Sequence, residues 1–309
     1  MAFNKMNENS VFNFPVYCSI ELTSLANPLI YLSVFNIAIA IIVIVGNTVI
    51  LIALRKETSL HLPSKVLIRT LAATDLCIGI VEFFFVAYWM SLVNSRMQLC
   101  HVTLVIHVVA GTILFVVSLL TITAISVDRL LALLLGLRYR QVVTIKRVYA
   151  VLIAVGVYPG FGVAIGFYNR EAYQIFASTT VAGCMITSVY CYSKIFYRLH
   201  HHRTQVRSND QANDAVLANM MRYRKSVSSA IWLQFVFVFC YFPYFAVSPF
   251  VYQGRDKGRS LKVLFLALYA TTTFMFFNSM LNPMLYCWKI KEVRRVVKDT
   301  LKQIPCSLH

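Results

Sequence analysis

Residues 101–131 read HVTLVIHVVAGTILFVVSLLTITAISVDRLL. From His101 to Val127 the stretch contains no Asp, Glu, Lys or Arg. A helix crossing the hydrocarbon core of a bilayer needs about 20 such residues. The stretch therefore predicts a membrane-spanning helix, closed at one end by the charged pair Asp128-Arg129. Working outward, six further stretches have the same character, at roughly 28–54, 65–92, 147–168, 173–199, 226–252 and 261–287. Polar breaks separate them, among them RKETSLHLPSK, NSRMQ, GLRYRQVVTIKR and the H/R/N/D-rich run from His200 to Lys225. The expectation is an all-α membrane protein: a seven-helix bundle at 28–287, an outer segment at 1–27, and an inner interfacial helix and tail at 288–309.

Composition agrees. Of the 309 residues, 59% are hydrophobic and only 13% charged, against about 25% charged in soluble domains. This excludes a soluble enzyme, a disordered chain and a disulfide scaffold. The eight cysteines form no CxxC pair and no zinc spacing with histidine. The net charge of +17 is explained without nucleic acid. With the N-terminus outside, the outer segments hold only Lys5, Arg96, Arg170, Arg255, Lys257, Arg259 and Lys262, and the other 22 of the 29 basic residues lie at inner ends or loops. That bias sets the orientation and directs basic charge at anionic lipid and cytoplasmic partners. In the tail KIKEVRRVVKDTLK, Ile290, Val293, Val296, Val297 and Leu301 share one helical stripe, as in an interfacial amphipathic helix. Cys306 beyond it is either a palmitoylation site or a free thiol.

Polar residues inside lipid are costly, so they are the functional clues. Asn47 lies in GNTVILIAL of the first span, Asp75 in LAATDLCIG of the second, and Glu82 seven residues further out. The sixth span contains FCYFPYF and the seventh ends FNSMLNPMLY. Asp75 needs a cation, a proton or several donors. Ser118, Asn278, Ser279 and Asn282 are hard oxygen-bearing side chains on the third and seventh spans.

In this order and spacing the chain resembles the rhodopsin-like (class A) G-protein-coupled receptors over essentially its whole length. The resemblance implies a receptor that takes an extracellular ligand and activates a heterotrimeric G protein, with arrestin and a receptor kinase as further partners. Asp128-Arg129-Leu130 holds the DRY position, with Leu for the usual Tyr. Asn282-Pro283-Met284-Leu285-Tyr286 matches NPxxY. Tyr192 matches the partner of Tyr286 in the inward rearrangement of activation, the bland alternative being an interfacial aromatic. Asp75, Ser118, Asn278, Ser279 and Asn282 match the sodium pocket, the alternative being a protonated, water-bridged Asp75. Tyr241 and Pro243 hold the hinge positions of CWxP, with Tyr for Trp. The base of span six reads Arg222-Tyr223-Arg224-Lys225 and lacks the acid that often restrains the DRY arginine, which implies raised basal signalling.

The departures matter too. Cys100 lies 29 residues before Arg129, about one helical turn further out than the family's outer cysteine. The loop between spans four and five, around Asn169 to Ala172, has no cysteine. Cys18 and Cys100 are the cysteines that the topology places outside, where oxidising conditions favour pairing. The expectation is a Cys18–Cys100 disulfide, the alternative being two free thiols. The minimal loop and Cys184 at the usual proline position of span five resemble the melanocortin, cannabinoid and lysophospholipid branch, whereas LRYRQVVTIKR is closer to amine and adenosine receptors. Gly111 stands where amine receptors carry an aspartate, which argues against a monoamine. Small molecule, peptide and lipid remain open. Glu82 meets a cationic ligand group or a divalent ion, or bonds His107, Tyr269 or another helix internally. His107, Tyr244 and Phe274 are expected along the ligand wall. No cofactor is expected beyond a sodium ion. A retinal protein is excluded because Lys262 and Lys289 lie at the edges of span seven. A transporter or channel, and a non-signalling scaffold or decoy, are the alternatives.

Overall fold

A computed structural model describes residue 18 and residues 25–56, 61–208, 235–236, 238–248, 250, 258–289, 294–295 and 297. The described residues form helices and turns without strands. Among the described residues, six helices are long and apolar enough to cross a membrane. We label the helices α1 (Ala26–Lys56), α2 (Leu62–Val93), α3 (Met97–Leu135), α4 (Ile145–Tyr168), α5 (Arg170–Ser208) and α7 (Gly258–Lys289). The shorter α6 spans Val238–Ser248. The remainder of the expected sixth span, 226–252, falls largely outside the described residues.

Most of these helices are apolar on every side, which marks them as buried or lipid-embedded. Large apolar side chains such as Phe35, Ile153, Phe161 and Ile186 face outward, while Asn36, Asn47, Asp75, Ser118 and Asn278 are buried. Neighbours in sequence pack as neighbours from α1 through α5, and α7 returns to α1 and α2. Gly79 lets α1 and α2 approach closely: a Cβ there would lie 2.9 Å from Ile44 Cγ1.

The outer links are short. Ser95, at φ 54°, turns the chain between α2 and α3. The Arg96 N–H donates to Ser91 O (2.9 Å) and closes the end of α2. Asn169 alone separates α4 from α5. Its Oδ1 accepts the Ala172 N–H (3.1 Å) and caps the new helix. On the inner side, Pro63 sits in the first turn of α2, where its missing N–H costs no helical bond. The α3–α4 link carries a 3-10 turn at Gly136–Arg138 and a helical turn at Tyr139–Val142.

Two proline-containing stretches position the site. Pro283 cannot donate to the carbonyl four residues back. That carbonyl, Ser279 O, accepts instead from Asn47 Nδ2 of α1 (3.3 Å). Gly46 leaves the space for this approach, since a Cβ there would lie 3.2 Å from Pro283 Cγ. Pro243 is half-buried within α6.

In the tail, Val297 is buried while Arg294 and Arg295 are exposed. Cys306 and Arg222 to Lys225 lie outside the described residues, as does the Tyr286 side chain.

Candidate functional site

Three polar centres lie along the bundle axis, around Asp128, Asp75 and Glu82, and a cavity opens beside the Asp75 centre. The innermost surrounds Asp128 on α3. Its Oδ2 accepts Ser64 Oγ of α2 (2.8 Å) and lies 3.1 Å from the Arg129 guanidinium. Its Oδ1 accepts the Tyr139 hydroxyl (2.5 Å). Burial, reinforced by the Asp128 charge, pushes the Tyr139 phenol up to about 12, so it stays a neutral donor. His61 packs on the Tyr139 ring, with centroids 4.9 Å apart. Burial lowers the His61 pKa; Asp128 opposes that shift, and Arg140 and Arg129 add to it. Asp128 thus ties α2, α3 and the inner link together while holding Arg129.

Two residues outward on α3, Ser126 Oγ donates to Ile122 O (3.0 Å). The Tyr192 hydroxyl of α5 therefore donates to Ser126 Oγ (2.5 Å). Tyr192 is buried against Leu130, Cys191 and Ile195, rather than lying exposed at an interface.

The middle centre surrounds Asp75, which is fully buried. Ser279 Oγ donates to its Oδ1 (2.8 Å) and Asn282 Nδ2 to its Oδ2 (2.7 Å). Ser118 Oγ and Asn282 Oδ1 are buried and without a hydrogen-bond partner among the described residues. Tyr241, its ring tilted against Phe115 with centroids 4.6 Å apart, places its hydroxyl beside Asn278. The five residues expected to form a sodium pocket are thus buried, and Ser279 and Asn282 bond Asp75 directly. Hard oxygens of this kind suit sodium.

The cavity has a volume of about 380 Å³ and is bounded by α2, α3, α5, α6 and α7. Its wall is aromatic and aliphatic, with Trp89, Phe115, Phe176, Phe245 and Phe276 prominent. Its polar points include His107, Thr112, Tyr173, Gln174, Tyr244, Ser248 and Thr272. None of its described lining residues is Asp, Glu, Lys or Arg. Tyr241 forms part of the floor and so borders both the cavity and the Asp75 centre.

Of the residues expected along the ligand wall, His107, Gly111 and Tyr244 line this cavity. Phe274 does not. It is 45% exposed on the outer surface of α7 and meets Phe239 edge-on at 6.4 Å. The helical period explains the correction. Phe265, Leu268, Thr272 and Met275 share the inward face, and Phe274 is turned roughly 200° from Thr272. Glu82 is also absent from the wall. It bonds neither His107 nor Tyr269, since both carboxylate oxygens lack a hydrogen-bond partner among the described residues. Sequence reading missed Ser64 and Tyr139 at the inner centre, and Trp89, Thr112 and Tyr173 at the cavity. Small hydroxyls and scattered aromatics carry no signature before helix rotation is known.

At the outer end, Cys18 and Cys100 form a disulfide with Cα atoms 5.9 Å apart. Cys18 is buried in a cluster with Trp89, Leu92 and Leu104. The segment before α1 is thereby tied to the top of α3.

The family model described as "7 transmembrane receptor (rhodopsin family)" matches residues 46–168 and 163–286. The chain is 24% identical to sheep adenosine receptor A3 over 86% of this chain and 88% of that protein. It is 25% identical to dog histamine H2 receptor, covering 90% and 81% respectively. It is 22% identical to rat melanocortin receptor 3, covering 86% and 83%. Squid rhodopsin superposes with a TM-score of 0.75 at 17% identity, over 90% of this chain and 86% of that one.

Proposed function

The chain belongs to the rhodopsin family of seven-transmembrane receptors, and from that premise we propose a plasma-membrane receptor for a small, uncharged, largely aromatic or lipid-like ligand. The observation that carries the ligand class is the cavity wall, rich in aromatic rings and hydroxyls and without a charged side chain among its described residues. A fixed ligand charge would go unpaired there, at a desolvation cost. Histamine, for which one relative is named, is a cation at neutral pH and finds no carboxylate on this wall. Adenosine, for which another is named, is a neutral heteroaromatic nucleoside and belongs to the class that fits.

The N-terminus lies outside and the C-terminus inside, as the basic-residue bias supports. Agonist binding shifts the population toward a state open at the inner face. Arg129 leaves Asp128 and engages a heterotrimeric G protein. Arrestin and a receptor kinase use the same face. Sodium at Asp75 favours the resting state. Tyr192, Tyr241, Pro243, Asn282, Pro283 and Tyr286 take the family's roles in the rearrangement.

The test is G-protein activation in cells expressing the chain, for each major G-protein class, beside Arg129→Ala. We expect wild type to signal above the variant, at rest or with neutral heteroaromatic compounds. Equal signals from both, at equal surface expression and across such compounds, overturn the reading and leave a receptor-fold scaffold.

A further inference from the structure

Glu82 is the third carboxylate inside the bundle, and its surroundings differ from those of Asp128 and Asp75. It lies seven residues outward of Asp75 on α2, about 10 Å along the axis at ~1.5 Å per residue. It is fully buried. No described group donates a hydrogen bond to either of its oxygens. An ionised carboxylate left this way in a low-dielectric interior is costly unless a positive species accompanies it.

The neighbouring groups indicate which species. Tyr269 of α7 is fully buried. Its hydroxyl shares a hydrogen bond with Ser33 Oγ of α1 (2.7 Å), lies beside Asn36, and is within electrostatic reach of Glu82. Asn36 spends its amide N–H groups on Leu32 O (2.8 Å) and Thr273 Oγ1 (2.9 Å). Its Oδ1 is buried and without a hydrogen-bond partner among the described residues. Three oxygens are therefore left over where α1, α2 and α7 meet: both of Glu82 and one of Asn36. The Trp89 indole N–H is also unspent, but its ring lies stacked on Tyr269 at 4.5 Å and is not bonded to the carboxylate.

We propose that Glu82, Asn36 Oδ1 and the Tyr269 hydroxyl hold a monovalent hard cation such as sodium, at a site separate from Asp75. The donor set is all oxygen, with a single negative charge. Calcium and magnesium need more oxygen ligands, usually several of them carboxylates or waters, and no group of three His, Cys, Asp or Glu exists among the described residues. An organic ammonium in the cavity does not meet it, because Glu82 is off the cavity wall. A cation here pins the outer ends of α1 and α7 to α2. Trp89 and Phe276 of the cavity wall pack on the same aromatic group, so occupancy also steadies that wall. The site requires neither a ligand nor sodium at Asp75.

The experiment measures the Tm of the full chain in lipid nanodiscs as sodium chloride replaces choline chloride at constant ionic strength. A ligand that binds only the folded state raises Tm with its concentration. The variants are Asp75→Asn, Glu82→Gln and the double variant. We expect Asp75→Asn to keep a sodium-dependent rise of several degrees, Glu82→Gln to reduce the wild-type rise, and the double variant to show none. The proposal is overturned if Asp75→Asn alone abolishes the response, or if Glu82→Gln leaves it unchanged in both backgrounds. The second result would mean that Glu82 carries a proton instead. Should Asp75→Asn fail to fold, Glu82→Gln and Tyr269→Phe in the wild-type background read the same quantity. A reduced rise in each supports the site, and an undiminished rise in both overturns it.

Discussion

Asp128 and Glu82 are both buried carboxylates in one helical bundle, yet their settings are opposite. Asp128 accepts Ser64, Tyr139 and Arg129, drawn from two helices and the inner link. Glu82 accepts nothing from the described residues. Asp75 is intermediate, with two donors and unspent oxygens around it. Satisfaction thus falls from the inner face outward. A carboxylate whose hydrogen bonds are complete holds a conformation. One left incomplete invites something from outside the chain. Tied at Asp128, the inner face has a conformation to hold, whereas the outer carboxylate is left without donors among the described residues.

The largest expected effect breaks the outer half mechanically. The Cys18–Cys100 disulfide closes an 82-residue separation and is buried beside Trp89 and Leu104 of the cavity wall. Losing such a cross-link costs about 2–4 kcal/mol. Cys18→Ser, Cys100→Ser and the double variant should lower Tm by the same amount, because each removes one and the same bond. Losses that add in the double variant would mean that the thiols act separately.

A smaller effect breaks the inner face. Asp128→Ala strips Ser64, Tyr139 and Arg129 of their shared acceptor. Hydrogen bonds to a charged group contribute roughly 1.5–3 kcal/mol. If they are lost on opening, the resting-to-open balance shifts by about one to two powers of ten. Ligand-independent G-protein activation should rise accordingly. Glu82→Gln, which removes no hydrogen bond to a described residue, should give no such rise. Equal basal signals from the two variants would erase the contrast between the two carboxylates.

How much of this was legible in the sequence depends on period and pairing. The spans were readable because apolar runs of this length have few other uses, although α5 continues to Ser208, past the expected end at 199. Beyond the membrane its polar residues carry no signal that separates helix from loop. The Asp75, Ser279 and Asn282 cluster was readable because these residue types recur at fixed positions in a recognisable pattern. The partners of Asp128 were not. Ser64 is 64 residues away in sequence, and one serine among many bears no mark of its partner. Asn36 with Thr273 and Ser33 with Tyr269 are separated by more than 230 residues. Phe274 was misplaced because an aromatic stripe gives the existence of a face, while packing decides which face turns inward.

The smallest effect sharpens the inner comparison through pH. Two titratable groups attend Asp128 from the inner loops. Tyr139, raised to about 12 from 10, contributes stability that is complete below about pH 10 and lost only as pH rises through about 12, so it is silent near neutrality. His61 is shifted the other way. Its pKa lies below the ordinary 6.5 because burial against the Tyr139 ring and the positive Arg140 and Arg129 outweigh the attraction of Asp128. A group with a lowered pKa of this kind binds its proton more readily in the unfolded chain. Its contribution is complete above pH 6.5 and fades as pH falls below that value. Charging His61 also adds a positive group beside Arg129, which weakens the hold of Asp128 on it. Acidifying the inner solution from about pH 7 to about pH 5.5 should therefore lower Tm slightly more in wild type than in His61→Gln, the difference isolating this residue from other titrating groups. Basal signalling, read in inside-out vesicles, should rise by the same ordering. Parallel pH profiles for the two proteins would show that His61 only packs against Tyr139, and that the inner lock rests on the three partners of Asp128 alone.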